Sequence, residues 1–593
     1  MQLLDYDYFG DRDDPTIGLV GLAAQIATLR DAPDVTTVLC DNGDLIQGNP
    51  LADYLAQSLG PDDTHPMIAA LNLLQYDALT LGNHEFDYGL EFLRATFAKA
   101  KAAVVCANIT PRKGSAFAAP FAILEREIVC DDNTTRPIKI GITGFAPPQI
   151  ADWYEGAGHA DVRADDIVDA ARQTVPQMKA AGADLIIALC HSGIAATQQI
   201  ARMENAAIPL AAVDGIDVLV TGHTHEAFPD PGIASTATVD YAKGSLHGKP
   251  AVMAGFCGQS FGVIDLTLQW RSGNCGISDY HVYHVKAAPV AGPQNALPQQ
   301  LRALVARPHA ATISTMQEPI ARTEVPIVSY FATVQPDLSQ QLLAQAMQRA
   351  VMAALKDGPD AAYPVLAATS SFRFGGRSGL GHYIDIPKGP ITLRDAAAIF
   401  PFADDLFAVR RTGRQLRLWL ERSAAHYNQI APRQQDQPLI DPQSAGYNCD
   451  AIHGLTYQID LTQPARFDVH GFEINPDAQR IVQMSHQGTA ISDDDIFIVA
   501  TNCFRARGGG SFPKIAQTDV VHCAPQRLRD VLIADLKTTG TVQTGTQPNW
   551  SFAPIAGTTA TFASAPQAKG HLRGPVSHIG PVADGFDGYR LHF

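Results

Sequence analysis

Positive charge is scarce in this chain. Its 44 Lys and Arg stand against 60 Asp and Glu, a formal net charge of −16 over 593 residues. Polymeric nucleic acid and anionic membrane surfaces both attract cationic faces, so neither is an expected partner. Long apolar runs are lacking as well: nowhere do the roughly 20 consecutive apolar residues of a membrane-spanning helix occur. The opening "MQLLDYDYFGDRDD" carries neither the basic n-region nor the apolar h-region of an export signal. Paired cysteines are missing too. The nine are scattered with no C-x-x-C among them, which speaks against a thiolate zinc site and against a disulfide scaffold. Internal repeats and low-complexity blocks are also absent. What remains is an ordinary globular composition, 46% hydrophobic and 18% charged, in a chain too long for one core.

The first half alternates short continuous apolar runs with amphipathic stretches. "VTTVLC" (35–40), "IKIGITGF" (138–145), "DLIIALC" (184–190) and "DVLVTG" (217–222) have the pattern of strands covered on both faces. Between them, "LEFLRATFAKAKA" and "DIVDAARQTVPQMKAAG" read as helices, so a layered α/β domain is expected over residues 1–285. Residues 286–324 turn Pro-, Ala- and Gln-rich and read as a linker with a helix in it. A second α/β region is expected over 325–593, with one long helix in "SQQLLAQAMQRAVMAALKDG".

Four of the apolar runs end alike. "DNGDLIQG" offers Asp44, "GNHEFD" offers Asn83, His84 and Asp87, "HSG" offers His191, and "GHTH" offers His223 and His225. Strand ends of open α/β sheets are where ligands bind. Nitrogen and oxygen donors collected there suit a divalent transition metal of the Zn, Mn, Co or Fe type better than Ca or Mg. On an extended segment the alternating H-x-H would put both imidazoles on one side. Any one of these histidines alone reads as an ordinary hydrogen-bonded residue; four matching strand ends do not.

In this order, "GDLIQG", "GNHEFD", "HSG" and "GHTH" resemble the metallophosphoesterase core, and the whole chain resembles the 5′-nucleotidase family. Within it, "LLDYDYF", "DNGDLIQGNPLADY", "KGSLHGKPAVMAGFCGQSFGVIDL" and "YNCDAIHGLTYQID" resemble the bacterial 2′,3′-cyclic-nucleotide 2′-phosphodiesterase/3′-nucleotidases. The resemblance implies a calcineurin-like layered domain, a helical linker and a C-terminal nucleotide-binding domain. It implies two divalent metal ions, with Asp44 bridging, Asn83, His191 and His223 completing one ion, and His225 serving the other. His84, oriented by Asp87, would act on the phosphoryl group or its leaving oxygen. Tyr447 of "GYNCD" and Phe504 of "TNCFRARGGG" would sandwich the base, and Arg377 of "SFRFGGRSG" would meet the substrate. The partner is a small nucleotide. The implied reaction is hydrolysis of 2′,3′-cyclic nucleotides and then of 3′-nucleotides, in the periplasm. A 5′-nucleotidase or nucleotide-sugar hydrolase, or a nucleotide-binding protein without catalysis, is the alternative. Related 5′-nucleotidases carry an Asp where this chain has Gly510, which favours the cyclic-phosphate group.

Two further readings complete the expectation. "GQSFG" (258–262) matches the serine-hydrolase pattern, but a strand-like run follows Ser260 where that elbow needs a helix. The family also opens with a strand ending in Asp-x-His, which supplies two ligands to the ion that His225 serves. No D-x-H precedes Asp44, and "MQLLDYDYF" resembles what directly follows that motif. The second metal site is therefore expected to be incomplete, with the missing strand and an export signal encoded upstream of Met1.

Overall fold

The structure is a computed structural model that describes residues 2–33, 35–153, 161–195, 197–271, 274–289, 296–402, 404–513 and 515–593. The chain divides into two compact units, Met1–Ile313 and Ser314–Phe593. Among the described residues no helix is long and apolar enough to cross a membrane.

In the first unit four strands run parallel in the spatial order Lys249–Ala254, Val218–Thr221, Leu185–Cys190, Thr135–Phe145. Phe121–Val129 closes one side antiparallel. The period of two is visible in the core. Ile186, Ala188 and Cys190 pack under the helix Ile167–Ala180, while Leu185 and Leu189 face the opposite layer. Burial on both faces is why these runs read as continuous rather than alternating. The helix starts where Asp166 accepts the backbone N–H groups of Val168 and Asp169, an N-cap that satisfies two orphan donors.

The opposite layer begins with a second parallel sheet, Cys40–Asp41, Ala78–Leu79 and Ala103–Val104. The two sheets touch at Gly144. A Cβ there would lie 2.1 Å from Thr80 Oγ1 and 2.2 Å from the Val105 carbonyl oxygen, so only glycine permits the approach. A long hairpin, Ser260–Arg271 with Asn274–Lys286, adds Ile264, Leu266, Leu268 and Ile277 to this core. Ser260 opens that hairpin and its Oγ donates to the Ala254 carbonyl at 2.7 Å, so no nucleophile elbow forms.

One expected strand is shorter than its sequence. Of "VTTVLC" only Cys40–Asp41 pairs in a sheet, and Val35 is 58% exposed. Side chains and a neighbouring carbonyl take over the hydrogen bonds there. Leu39 N–H donates to Asp77 Oδ2 and Thr36 Oγ1 donates to the Glu127 carbonyl, both at 2.8 Å.

Helix Ala296–Met316 spans the boundary between the units. The second unit centres on a five-stranded sheet ordered Ala451–His453, Val365–Thr369, Ile496–Asn502, Asp405–Thr412, Val520–Arg527. Helix Leu338–Leu355, N-capped by Asp337, packs on it. Helix Gly413–Ser423 starts with a reciprocal Thr412 and Gln415 capping box and buries Leu416, Trp419 and Leu420 in the same core.

Candidate metal centre

Every candidate ligand follows the carboxyl end of a parallel strand. Asp44 follows Cys40–Asp41, Asn83 follows Ala78–Leu79, His191 follows Leu185–Cys190, and His223 and His225 follow Val218–Thr221. Three of the five hold left-handed backbone, with φ of 59° at Asp44, 73° at His223 and 60° at His225. Such a conformation costs a non-glycine residue on the order of 1–3 kcal/mol and persists only where the surroundings impose it. At Asp44 the imposing group is Glu85. Its fully buried carboxylate accepts the N–H groups of Gly82, Asp44 and Leu45 at 2.6, 2.7 and 2.5 Å, which locks two loops together. Burial, with the Asp44 charge beside it, raises the Glu85 pKa against those three hydrogen bonds. Gly82 closes the packing: a Cβ there would meet Asp44 Oδ1 at 2.2 Å.

Among the described residues no three His, Cys, Asp or Glu side chains stand ready as a ligand shell. The donors come together in two pairs instead. His191 Nδ1 lies 2.7 Å from the Asn42 carbonyl oxygen, which commits its proton there, and leaves Nε2 facing Asp44 Oδ2 at 3.0 Å. That distance is within an ion pair, yet the buried Nε2 has no partner in hydrogen-bonding alignment. His223 repeats the pattern. Its Nε2 lies 2.9 Å from Glu204 Oε1, and its Nδ1 faces Asn83 Oδ1 at 3.0 Å.

In a neutral ring the nitrogen facing away from the committed proton is a lone pair. Both lone pairs then point at acceptor oxygens, an arrangement that repels unless a proton or a cation lies between. At the first pair a proton can take that place. Burial opposes the charge on His191, though Asp44 and the Asn42 carbonyl outweigh it and raise the imidazole pKa. Burial likewise works against the Asp44 anion, and His191 and His84 overcome it, holding that carboxyl well below the usual range. A divalent cation satisfies all four atoms. Asp44, Asn83, His191 and His223 therefore fit a metal ion.

His84 adjoins this cluster at Asp44. Its Nδ1 lies 2.9 Å from Asp87 Oδ2, while its backbone N–H donates to Asp44 Oδ1 at 2.9 Å. The residue is thus tied to Asp44 by main chain and oriented by Asp87 through its ring. His225 lies flat on Phe256, the planes 3° apart and the centroids 4.9 Å. The expectation of an extended H-x-H is not met. The strand ends at Thr221, and the left-handed turns at His223 and His225 set the ring directions in place of strand alternation.

Residues 18–227 match the calcineurin-like phosphoesterase family and residues 319–517 match the 5′-nucleotidase C-terminal domain. The chain is 36% identical to the 2′,3′-cyclic-nucleotide 2′-phosphodiesterase/3′-nucleotidase of Salmonella typhimurium, over 94% of this chain and 88% of that protein. The chain belongs to the 5′-nucleotidase family of metallophosphoesterases. A family member from Bacillus subtilis, the trifunctional nucleotide phosphoesterase protein YfkN, is 36% identical over 100% of this chain; the chain spans 41% of that protein's length. The fold is shared with the putative 5′-nucleotidase of Staphylococcus aureus, at TM-score 0.68 and 20% identity over 93% of this chain and 97% of that one. Membership in this metallophosphoesterase family implies divalent metal cofactors.

The family's second domain carries the remaining candidates. Tyr447 sits in the turn Gly446–Asn448 and Phe504 in the short helix Cys503–Ala506, both half-buried. Arg505 joins the two segments. Its Nη2 donates to the Tyr447 carbonyl at 2.9 Å, and its Nε and Nη2 grip the Asp450 carboxylate at 2.9 and 3.1 Å. Gly510 has φ 69°, and a Cβ on it would lie 2.1 Å from Asn448 Oδ1. A side chain at that position would have to displace the Asn448 amide and the tip of Arg505. The side chain of Arg377 lies outside the described residues. Glu85, Glu204 and Asn42 went unread in the sequence. Glu85 stood inside a quoted motif, but nothing in its spacing shows that its carboxylate folds back on two loops.

Proposed function

We propose that the chain hydrolyses 2′,3′-cyclic nucleotides to 3′-nucleotides, and 3′-nucleotides to nucleoside and phosphate. The observation that carries this reading is the pair of imidazole nitrogens, His191 Nε2 and His223 Nδ1, each 3.0 Å from an oxygen of Asp44 or Asn83, at strand ends of a phosphoesterase domain. The substrate follows from the likeness to proteins named for that activity. Gly510 supports it, because the Asp that related 5′-nucleotidases carry there is absent and would have to displace the Asn448 amide. When bound, two divalent ions would supply an activated water and a positive field for the phosphoryl oxygens.

The chain's own residues do the rest. Asp44, Asn83, His191 and His223 hold the charge in place, with His225 as the further ligand. In the first step a water oxygen bonds to phosphorus and the bond to the ribose 2′ oxygen breaks. That oxygen takes a proton, and the water gives one up. His84, with Nδ1 held by Asp87, would present Nε2 to the leaving oxygen or to the phosphoryl charge. The second step repeats this at the 3′ oxygen. Metal content and phosphate release, measured on one purified sample with 2′,3′-cyclic AMP, test the reading: 3′-AMP should rise before adenosine and phosphate.

Tyr447 and Phe504 are proposed to stack on the nucleobase. Stacking on an aromatic ring is worth about 1–3 kcal/mol per base, or about 5- to 160-fold in KM on replacing either ring with Ala. Hydrolysis of a baseless aryl phosphate should stay near wild type in both variants. Equal losses on both substrates would assign the rings to the core.

A further inference from the structure

Glu204 belongs to none of the sequence motifs, yet it touches both histidine loops. Its Oε1 lies 2.9 Å from His223 Nε2, and the two side chains are only 12% and 10% exposed. Its backbone carbonyl accepts the Ser192 hydroxyl at 2.7 Å, directly beside His191. The next residues continue the suture. Asn205 Oδ1 accepts the Gly193 N–H at 3.1 Å, and the Ala206 N–H donates to Ser192 Oγ at 2.7 Å. The two loops leave no slack against each other, because a Cβ on Gly193 would meet Thr224 Cγ2 at 2.3 Å and Asn205 Oδ1 at 2.7 Å.

We infer that Glu204 is a positioning residue that sets the tautomer and ring direction of His223 for metal binding. This rests on the reading of His223 as a ligand. What matters is which nitrogen carries the proton. Histidine has two ring nitrogens, and a carboxylate on one keeps the proton there and frees the other as a donor to metal. Here the carboxylate is on Nε2, so the free nitrogen is Nδ1, the atom facing Asn83 Oδ1. Without Glu204 the Nε2 proton has no acceptor on that side, and the ring can rotate about χ2 or exchange tautomers. Trp153 stacks on the His223 ring at 6.0 Å between centroids, which limits its tilt but does not select the nitrogen that carries the proton. Because Glu204 also holds Ser192 through its main chain, a side-chain substitution removes the grip on His223 while leaving the Ser192 contact intact.

The test is calorimetric titration of Mn²⁺ into the metal-stripped 593-residue chain. Glu204→Ala should weaken binding at the tighter site by about 10- to 100-fold, the range for removing an outer-shell partner. Glu204→Gln, whose amide oxygen still accepts from Nε2–H, should recover a large part of that loss. In a His223→Ala background, Glu204→Ala should add nothing, since Glu204 acts only through that ring. Wild-type affinity in Glu204→Ala, or additive losses in the double variant, would overturn the inference. Circular dichroism of each metal-free variant identifies one that has not folded; Glu204→Gln, nearly isosteric, keeps the test decisive in that event. The ligand reading itself fails separately: wild-type Mn²⁺ affinity in His223→Ala would sink it, whatever the Glu204 variants do.

Discussion

Replacing His84 with Ala should lower kcat for 2′,3′-cyclic nucleotides by about 10²–10⁴-fold, the usual contribution of a positioned proton donor. Metal content should stay near that of the wild type. The separation is possible because the two roles of this residue use different atoms. Its backbone N–H supports Asp44 Oδ1 at 2.9 Å, and that bond survives in Ala; only the imidazole held by Asp87 is lost. The leaving group then tells which job the ring does. A nitrophenolate leaves without needing a proton, so a nitrophenyl phosphate should be spared if His84 protonates the leaving oxygen. An equal loss on both substrates assigns the ring to the phosphoryl charge. Asp87→Asn, which keeps an acceptor for Nδ1 but removes its charge, should cost less than losing the ring. Loss of metal in His84→Ala would remove the residue from the chemistry and make it a ligand.

The strands and the order of site motifs were legible because one physical cause writes both. A strand buried on two faces needs an unbroken apolar run, and a site at its end needs polar residues at once after it. "DLIIALC" followed by "HSG" shows both features, and Leu185–Cys190 is that strand. "VTTVLC" has the composition without the second cover, so composition alone overstated it. The left-handed turns of "GHTH" were hidden for a different reason: His and Thr carry no backbone signal comparable to glycine, and the conformation is imposed from outside. Glu85 and Glu204 were illegible because their meaning lies in what they touch. One accepts from residues 82, 44 and 45, the other reaches His223, and neither contact leaves a periodicity behind. The Arg505 bracket between Tyr447 and Phe504 is of the same kind, a tertiary hydrogen bond between motifs far apart in sequence.

Asp44→Asn should abolish tight metal binding at any pH. In the metal-free protein it should cost stability where His191 is protonated and pairs with the Asp44 charge, and leave stability equal to or above that of the wild type once the pH is high enough to make His191 neutral. The choice of Asn matters. Asp44 holds φ 59°, a region that Asn tolerates and Ala does not, so Asp44→Ala mixes backbone strain of about 1–2 kcal/mol with loss of the ligand. Asn changes little but the charge and one donor set. Its Oδ1 still accepts the His84 N–H. Its amide N–H2 now faces His191 Nε2, the buried nitrogen without a hydrogen-bond partner, and donates to that lone pair. A made hydrogen bond of this kind contributes about 1 kcal/mol. With His191 neutral, the wild type instead keeps an anion and a lone pair pointed at each other, an arrangement that suits an ion. Saturating metal should reverse the order: at about 100 times Kd, binding stabilises by about 2.7 kcal/mol, and only the wild type receives it. Activity of the variant should fall further than the about 10²–10³-fold that follows removal of a single transition-state donor, because the nucleophile is no longer activated. Thermal melts with and without Mn²⁺ read all of this at once. With His191 neutral, the metal-free curves should place Asp44→Asn at or above wild type, and Mn²⁺ should lift the wild type alone. If Mn²⁺ raises both by the same amount, Asp44 is not a ligand.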